Sequence, residues 1–149
     1  MSWEGLMLFS DMDGTLLTGE GEIPAPNLRA LADFLAQGGR FALATGRHYP
    51  STARYARVLG VNAPCILSNG AVIYDYEKNK LLSARFLPAA AAEYLRVILK
   101  RFPHIRATAV FLEDRFDVGL GRKPAAPSRN GYRPLDRVSD PMLKILFHV

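Results

Sequence analysis

The chain has 149 residues, and 19 Lys+Arg against 14 Asp+Glu give it a net charge of +5. Hydrophobic residues at 49% and charged residues at 22% exclude a disordered chain and fit one ordinary globular domain or two small lobes. No apolar run approaches the ~20 residues of a membrane helix, Met1-Ser2-Trp3-Glu4-Gly5 carries no signal-peptide pattern, and the single cysteine, Cys65, excludes an internal disulfide, so a reducing cytoplasm is the expected compartment.

The first half alternates strand and helix signals. Leu6 to Ser10 is a short apolar segment, expected as a buried strand, that delivers Asp11 and Asp13 into a turn at Gly14. Ile23-Pro24-Ala25-Pro26 opens a helix, because proline suits the first turn, and Leu28, Leu31, Ala32 and Leu35 follow at helical spacing until Gly38-Gly39. Phe41 to Ala44 predicts a second strand, Pro50 to Leu59 a second helix, and Cys65 to Leu67 a third strand. This βαβαβ order implies parallel strands.

The second half has a different character. Ala71 to Tyr74 and Leu81 to Phe86 predict a hairpin, and Pro88 to Phe102 an amphipathic helix with Lys100 and Arg101 in its last turn. Arg106 to Leu112 and Arg115 to Leu120 predict a second hairpin. Gly121 to Arg133 is a Pro/Gly/Arg-rich loop, either a plain basic segment or one that contacts an anion. Met142 to Val149 is a strongly apolar strand that runs to the last residue, so the chain is expected to be incomplete and to self-associate through an unfinished core.

Three strand ends carry the chemistry: Asp11 and Asp13, then Thr45-Gly46-Arg47, then Ser68-Asn69-Gly70. Ligands of an open parallel sheet bind outside the carboxyl ends of its strands, so the topology brings all three groups to one rim. A carboxylate on a rigid strand end can attack phosphorus, which suits Asp11. Asp13 can protonate the leaving oxygen and then activate water. Mg²⁺ suits such hard oxygen donors. Thr45 offers a hydroxyl, Gly46 lets backbone approach a phosphoryl oxygen, Arg47 offers forked donors, and Asn69 and Gly70 add an amide and open backbone. Taken singly, each segment has a plain reading: Thr45-Gly46-Arg47 as turn and helix cap, Asn69-Gly70 as a hairpin turn, Cys65 as a small buried hydrophobe. The cations are spread along the chain, which favours a small phosphorylated partner over nucleic acid, and nothing points to a membrane.

Asp11-Met12-Asp13-Gly14-Thr15-Leu16, Ala44-Thr45-Gly46-Arg47 and Ser68-Asn69-Gly70-Ala71 resemble the motifs of the haloacid dehalogenase superfamily, most closely its Cof-type phosphatases. The resemblance implies an α/β fold: a partial Rossmann-like parallel-sheet core over residues 1–85, followed by a partial α+β cap over 86–149. It implies an Mg²⁺-dependent phosphomonoesterase for a small phosphorylated metabolite, working through an aspartyl-phosphate. Asp11 would be the nucleophile, Asp13 the general acid/base, and Thr45 the phosphate-binding hydroxyl. Mg²⁺ would be held by the Asp11 carboxylate and the Asp13 backbone carbonyl. The resemblance also implies a catalytic lysine and a further acidic motif, normally after the cap. Lys144, in an apolar strand, and Asp136 and Asp140, in a polar loop, are not expected to supply them. Two alternatives follow: an incomplete module that binds Mg²⁺ and phosphate only, or a phosphosugar mutase of the same superfamily.

Overall fold

The computed structural model describes residues 2–121 and 130–148. The chain divides into two compact units, Met1–Ala84 and Arg85–Val149.

In the first unit, strand β1 (Met7–Ser10) pairs in parallel with β2 (Arg40–Leu43), Leu8 opposite Phe41 and Ser10 opposite Leu43. Helix α1 (Ala25–Ala36) connects them. Pro26 lies in its first turn, where a missing amide proton costs nothing. The helix is followed by Gly38, whose φ of +89° is a conformation natural to glycine. Helix α2 (Tyr49–Val58) leads to β3 (Cys65–Leu67), which meets the end of β2 through one parallel bridge, Ala44 to Ile66. Two side chains lengthen that junction. Asn62 Oδ1 accepts from the Phe41 N–H at 2.7 Å, and Cys65 Sγ from the Leu43 N–H at 3.2 Å. Strands β4 (Val72–Asp75) and β5 (Lys80–Ala84) continue from β3 as an antiparallel meander. Phe41, Ala42 and Leu43 of β2 are fully buried, as expected of a parallel strand covered on both faces, whereas in β3 Cys65 and Leu67 are buried and Ile66 between them is exposed.

β1 departs from the expectation of a buried strand. Leu6, Met7, Leu8 and Phe9 remain 51%, 41%, 47% and 45% exposed. Among the described residues β1 pairs only with β2, so its outer edge has no partner strand. The apolar run is a sound strand signal, but it cannot report which neighbours cover the strand.

In the second unit, helix α3 (Ala91–Arg101) packs on a four-stranded sheet of order β8-β7-β6-β9: β6 (Arg106–Val110), β7 (Arg115–Gly119), β8 (Tyr132–Pro134) and β9 (Lys144–His148). β6 is antiparallel to both β7 and β9, whereas β7 and β8 are parallel. Leu95 and Leu99 of the helix meet Ala107, Ala109 and Val118 of the sheet, with Phe111, Leu135 and Met142 completing a core separate from that of the first unit. Of the loop expected over Gly121 to Arg133, residues 122–129 lie outside the described residues. Tyr132 and Arg133 are a correction, because they form β8 and not loop. Arg133 is held there with its guanidinium 4.1 Å from the Phe116 ring centre and an ion pair to Asp140 at 3.0 Å. Two short 3₁₀ turns complete the described chain: Ser68–Gly70, where Asn69-Gly70 reads as a turn in the sequence, and Leu135–Arg137, which has no distinct sequence signal.

Candidate active site

A turn just beyond β1 sets the first motif. Met12 is fully buried, while Asp11 and Asp13 on either side of it are exposed. The Met12 carbonyl then accepts from the N–H groups of Thr15, Leu16 and Leu17 at 3.3, 3.0 and 2.9 Å. These bonds fold the chain sharply, and Gly14 within the turn has φ +75°. A buried methionine and a folded loop thus hold the two carboxylates outward.

The second motif follows β2. Thr45 is 5% exposed; its N–H bonds the Ile66 carbonyl at 2.9 Å, and its Oγ1 accepts from the Arg47 N–H at 3.3 Å. That arrangement spends a lone pair of the hydroxyl and leaves its proton to be donated. The third motif is a strained turn. Ser68, Asn69 and Gly70 have φ of +52°, +60° and +90° in succession. Positive φ at non-glycine residues persists where surrounding structure enforces it, often at functional sites. Here the Ser68 N–H bonds the Arg47 carbonyl at 3.0 Å and the Asn69 N–H the Thr45 carbonyl at 3.3 Å, so the second motif clamps the third. Ser68 Oγ is buried with no hydrogen-bond partner. The Asn69 amide lies against Gly46, where a Cβ would be 3.2 Å from Nδ2.

Five of the seven residues singled out in the sequence, Asp11, Thr45, Gly46, Asn69 and Gly70, line one open cavity of about 490 Å³ together with Ala44 and Ile66. Asp13 and Arg47 do not line it; they grip each other. Arg47 Nε and Nη2 donate to Asp13 Oδ2 and Oδ1 at 2.9 and 2.6 Å, a bidentate pair. Those hydrogen bonds hold the Asp13 carboxyl below the usual carboxylate range and push the Arg47 guanidinium further up. Sequence reading missed Tyr55 of α2, whose ring centre lies 5.2 Å from the Arg47 guanidinium carbon. Its position on the helix face toward Arg47 was the available signal.

The Asp11 carboxylate and the Asp13 carbonyl are hard oxygens of the kind a divalent cation prefers. They would supply part of a coordination shell. Among the described residues no group of three His, Cys, Asp or Glu side chains gathers to complete one. Lys144 begins β9 opposite Val110, and burial, then the charge of Arg115, push its ammonium down. No helix among the described residues is long and apolar enough to cross a membrane.

Comparison with known proteins bears on the fold and the family. The family model for haloacid dehalogenase-like hydrolases matches residues 8–118. The pyridoxal phosphate phosphatase of Escherichia coli is 33% identical over 82 residues, which cover 55% of this chain and 30% of that protein. The HMP-PP phosphatase of Serratia proteamaculans is 36% identical over 83 residues, covering 56% and 30%. The chain therefore spans about a third of the length of these relatives. Among solved structures, a haloacid dehalogenase-like hydrolase from Bacteroides thetaiotaomicron superposes with a TM-score of 0.74 at 21% identity, covering 95% of this chain and 57% of that one. A second, from B. subtilis, gives 0.68 at 20%, covering 91% and 58%. The three motifs fall inside the matched segment and share one rim in the fold, and the chain belongs to the haloacid dehalogenase-like hydrolase family.

Proposed function

We propose that the chain carries the nucleophilic half of a phosphatase site for a small phosphorylated metabolite, with residues 1–85 as the core and 86–149 as the cap that sets substrate choice. The observation that carries this reading is the gathering of Asp11, Thr45, Gly46, Asn69 and Gly70 around one cavity.

Chemistry assigns the roles. The phosphoryl oxygens accept from the Thr45 hydroxyl and the Asn69 amide, while Gly46 and Gly70 leave backbone open to them. An Asp11 carboxylate oxygen forms a bond to phosphorus as the bond to the ester oxygen breaks, giving an aspartyl-phosphate and an alkoxide. Asp13, ionised while Arg47 holds it, first takes a proton from solvent, gives it to the alkoxide, and then takes one from the water that attacks phosphorus. The second attack releases phosphate and restores the Asp11 carboxylate. Mg²⁺, held by the Asp11 carboxylate and the Asp13 carbonyl, would neutralise charge between carboxylate and phosphate. Arg47 holds the Asp13 carboxylate in place beside the site through two hydrogen bonds.

The engagement of Asp13 by Arg47, which keeps its carboxyl ionised, favours a second reading, a module that binds phosphate and metal without turnover. Hydrolysis of an aryl phosphate with and without Mg²⁺, by the chain and by Asp11→Asn, separates the two. Mg²⁺-dependent release that Asp11→Asn abolishes supports the phosphatase. Equal rates in the two proteins, beside saturable phosphate binding, leave the binding module.

A further inference from the structure

Asp13 is an exposed carboxylate on a folded loop; its side chain is 59% accessible, so packing alone does not fix it. Arg47 fixes it, through two short hydrogen bonds. The long arginine side chain has many rotamers, so it too must be held if it is to hold something else. The residue placed to do so is Tyr55. Its ring is 5% exposed and stands 5.2 Å from the Arg47 guanidinium carbon and 4.5 Å from that of Arg54.

The Tyr55 hydroxyl is itself anchored. It donates its one proton to the Gly21 carbonyl at 3.0 Å and accepts from Arg54 Nη2 at 2.6 Å. Gly21 belongs to the tight turn that follows the aspartate loop, closed by Thr18 N–H to the Glu22 carbonyl and Gly21 N–H to the Thr18 carbonyl, both at 2.9 Å. Tyr55 therefore braces the surroundings of Asp13 twice, once through the backbone downstream of it and once through the arginine that grips it. A phenylalanine would fill the same core volume. The hydroxyl is explained by its polar contacts, Arg47 among them, not by packing.

We propose that Tyr55 is a positioning residue for Asp13, acting through Arg47: its anchored ring keeps the guanidinium in the orientation that grips the carboxylate. The proposal rests on the phosphatase reading for its consequence, because a correctly oriented Asp13 matters where it moves a proton.

Exchange of the Arg47 side-chain Nε–H, followed by NMR in the intact chain, reads the grip without any turnover. The wild-type proton should be protected, and Asp13→Asn should remove that protection. Tyr55→Leu, which deletes the platform, should cut protection by about tenfold, the size of a well-placed cation–π contact. Tyr55→Phe, which keeps the ring and loses the anchor, should cut it by about threefold. In aryl phosphate hydrolysis, Tyr55→Phe should lower kcat per folded molecule while KM stays near the wild-type value. Protection unchanged in both Tyr55 variants, beside its loss in Asp13→Asn, overturns the proposal. If Tyr55→Leu does not fold, Tyr55→Phe decides alone, because it preserves the buried ring. A wild-type chain that hydrolyses nothing defeats the phosphatase reading, while the exchange comparison still decides the role of Tyr55.

Discussion

Replacing Gly46 with alanine would place a methyl carbon 3.2 Å from Nδ2 and 3.3 Å from Oδ1 of Asn69, a few tenths of an ångström inside comfortable contact. Asn69 has little room to yield. Its backbone sits at φ +60°, ψ +36°, beside Ser68 at φ +52°, and its N–H is tied to the Thr45 carbonyl at 3.3 Å. Overpacking of this kind costs about 1–3 kcal/mol, and the exposed amide places Gly46→Ala at the low end, about 1 kcal/mol. In a unit of this size that lowers the melting temperature by about 4–8 °C. Asn69→Gly removes the obstacle and suits the left-handed backbone, so it should stay within about 0.5 kcal/mol of wild type. The double variant should then recover most of the Gly46→Ala loss, a coupling of about 1 kcal/mol between residues in contact. Urea and thermal unfolding followed by circular dichroism measure all three variants. Strict additivity would refute the claim that the Asn69 amide rests on Gly46.

Three further outcomes follow from the same structure. Cys65 is fully buried and burial pushes its thiol up, so alkylation at neutral pH should be slow in the folded chain and fast in denaturant; equal rates would mean that the β2–β3 junction is open. The Asp13 carboxyl is lowered on folding, so its pairing with Arg47 contributes stability above the unfolded value of about 3.9 and loses it as pH falls through the lower folded one. Arg47→Met should thus cost at most about 1 kcal/mol at neutral pH, for a pair this exposed, and denaturation curves of the two proteins should converge in acid. The apolar edge of β1, which has no partner strand among the described residues, should make the chain self-associate with rising concentration, and Leu8→Lys should suppress this; sedimentation showing a wild-type monomer throughout would contradict it.

The parallel βαβαβ order was legible because its signals are local: prolines opening α1, glycines ending it, and short apolar strands between. The convergence of Asp11, Thr45 and Asn69 was legible for the same reason, since parallel strands bring their carboxyl ends to one rim. What escaped depended on distant neighbours. The exposure of β1 reflects which strands flank it, and nothing in Leu6-Met7-Leu8-Phe9 encodes that. Tyr132 and Arg133 look like loop in a Pro/Gly/Arg-rich stretch, yet β7 beside them and the Phe116 ring under Arg133 make them strand. The Asp13–Arg47 grip joins residues from two loops, and Tyr55 enters only once α2 is packed against both.

The most direct test of the account is to find where phosphorus becomes attached. The chain is mixed with an aryl phosphate and Mg²⁺, quenched in acid, reduced with borohydride to convert any acyl phosphate to an alcohol, and mapped by peptide mass spectrometry. The account predicts modification at Asp11 alone, dependent on substrate and absent from Asp11→Asn. Modification at another residue, or hydrolysis that persists in Asp11→Asn, would contradict it.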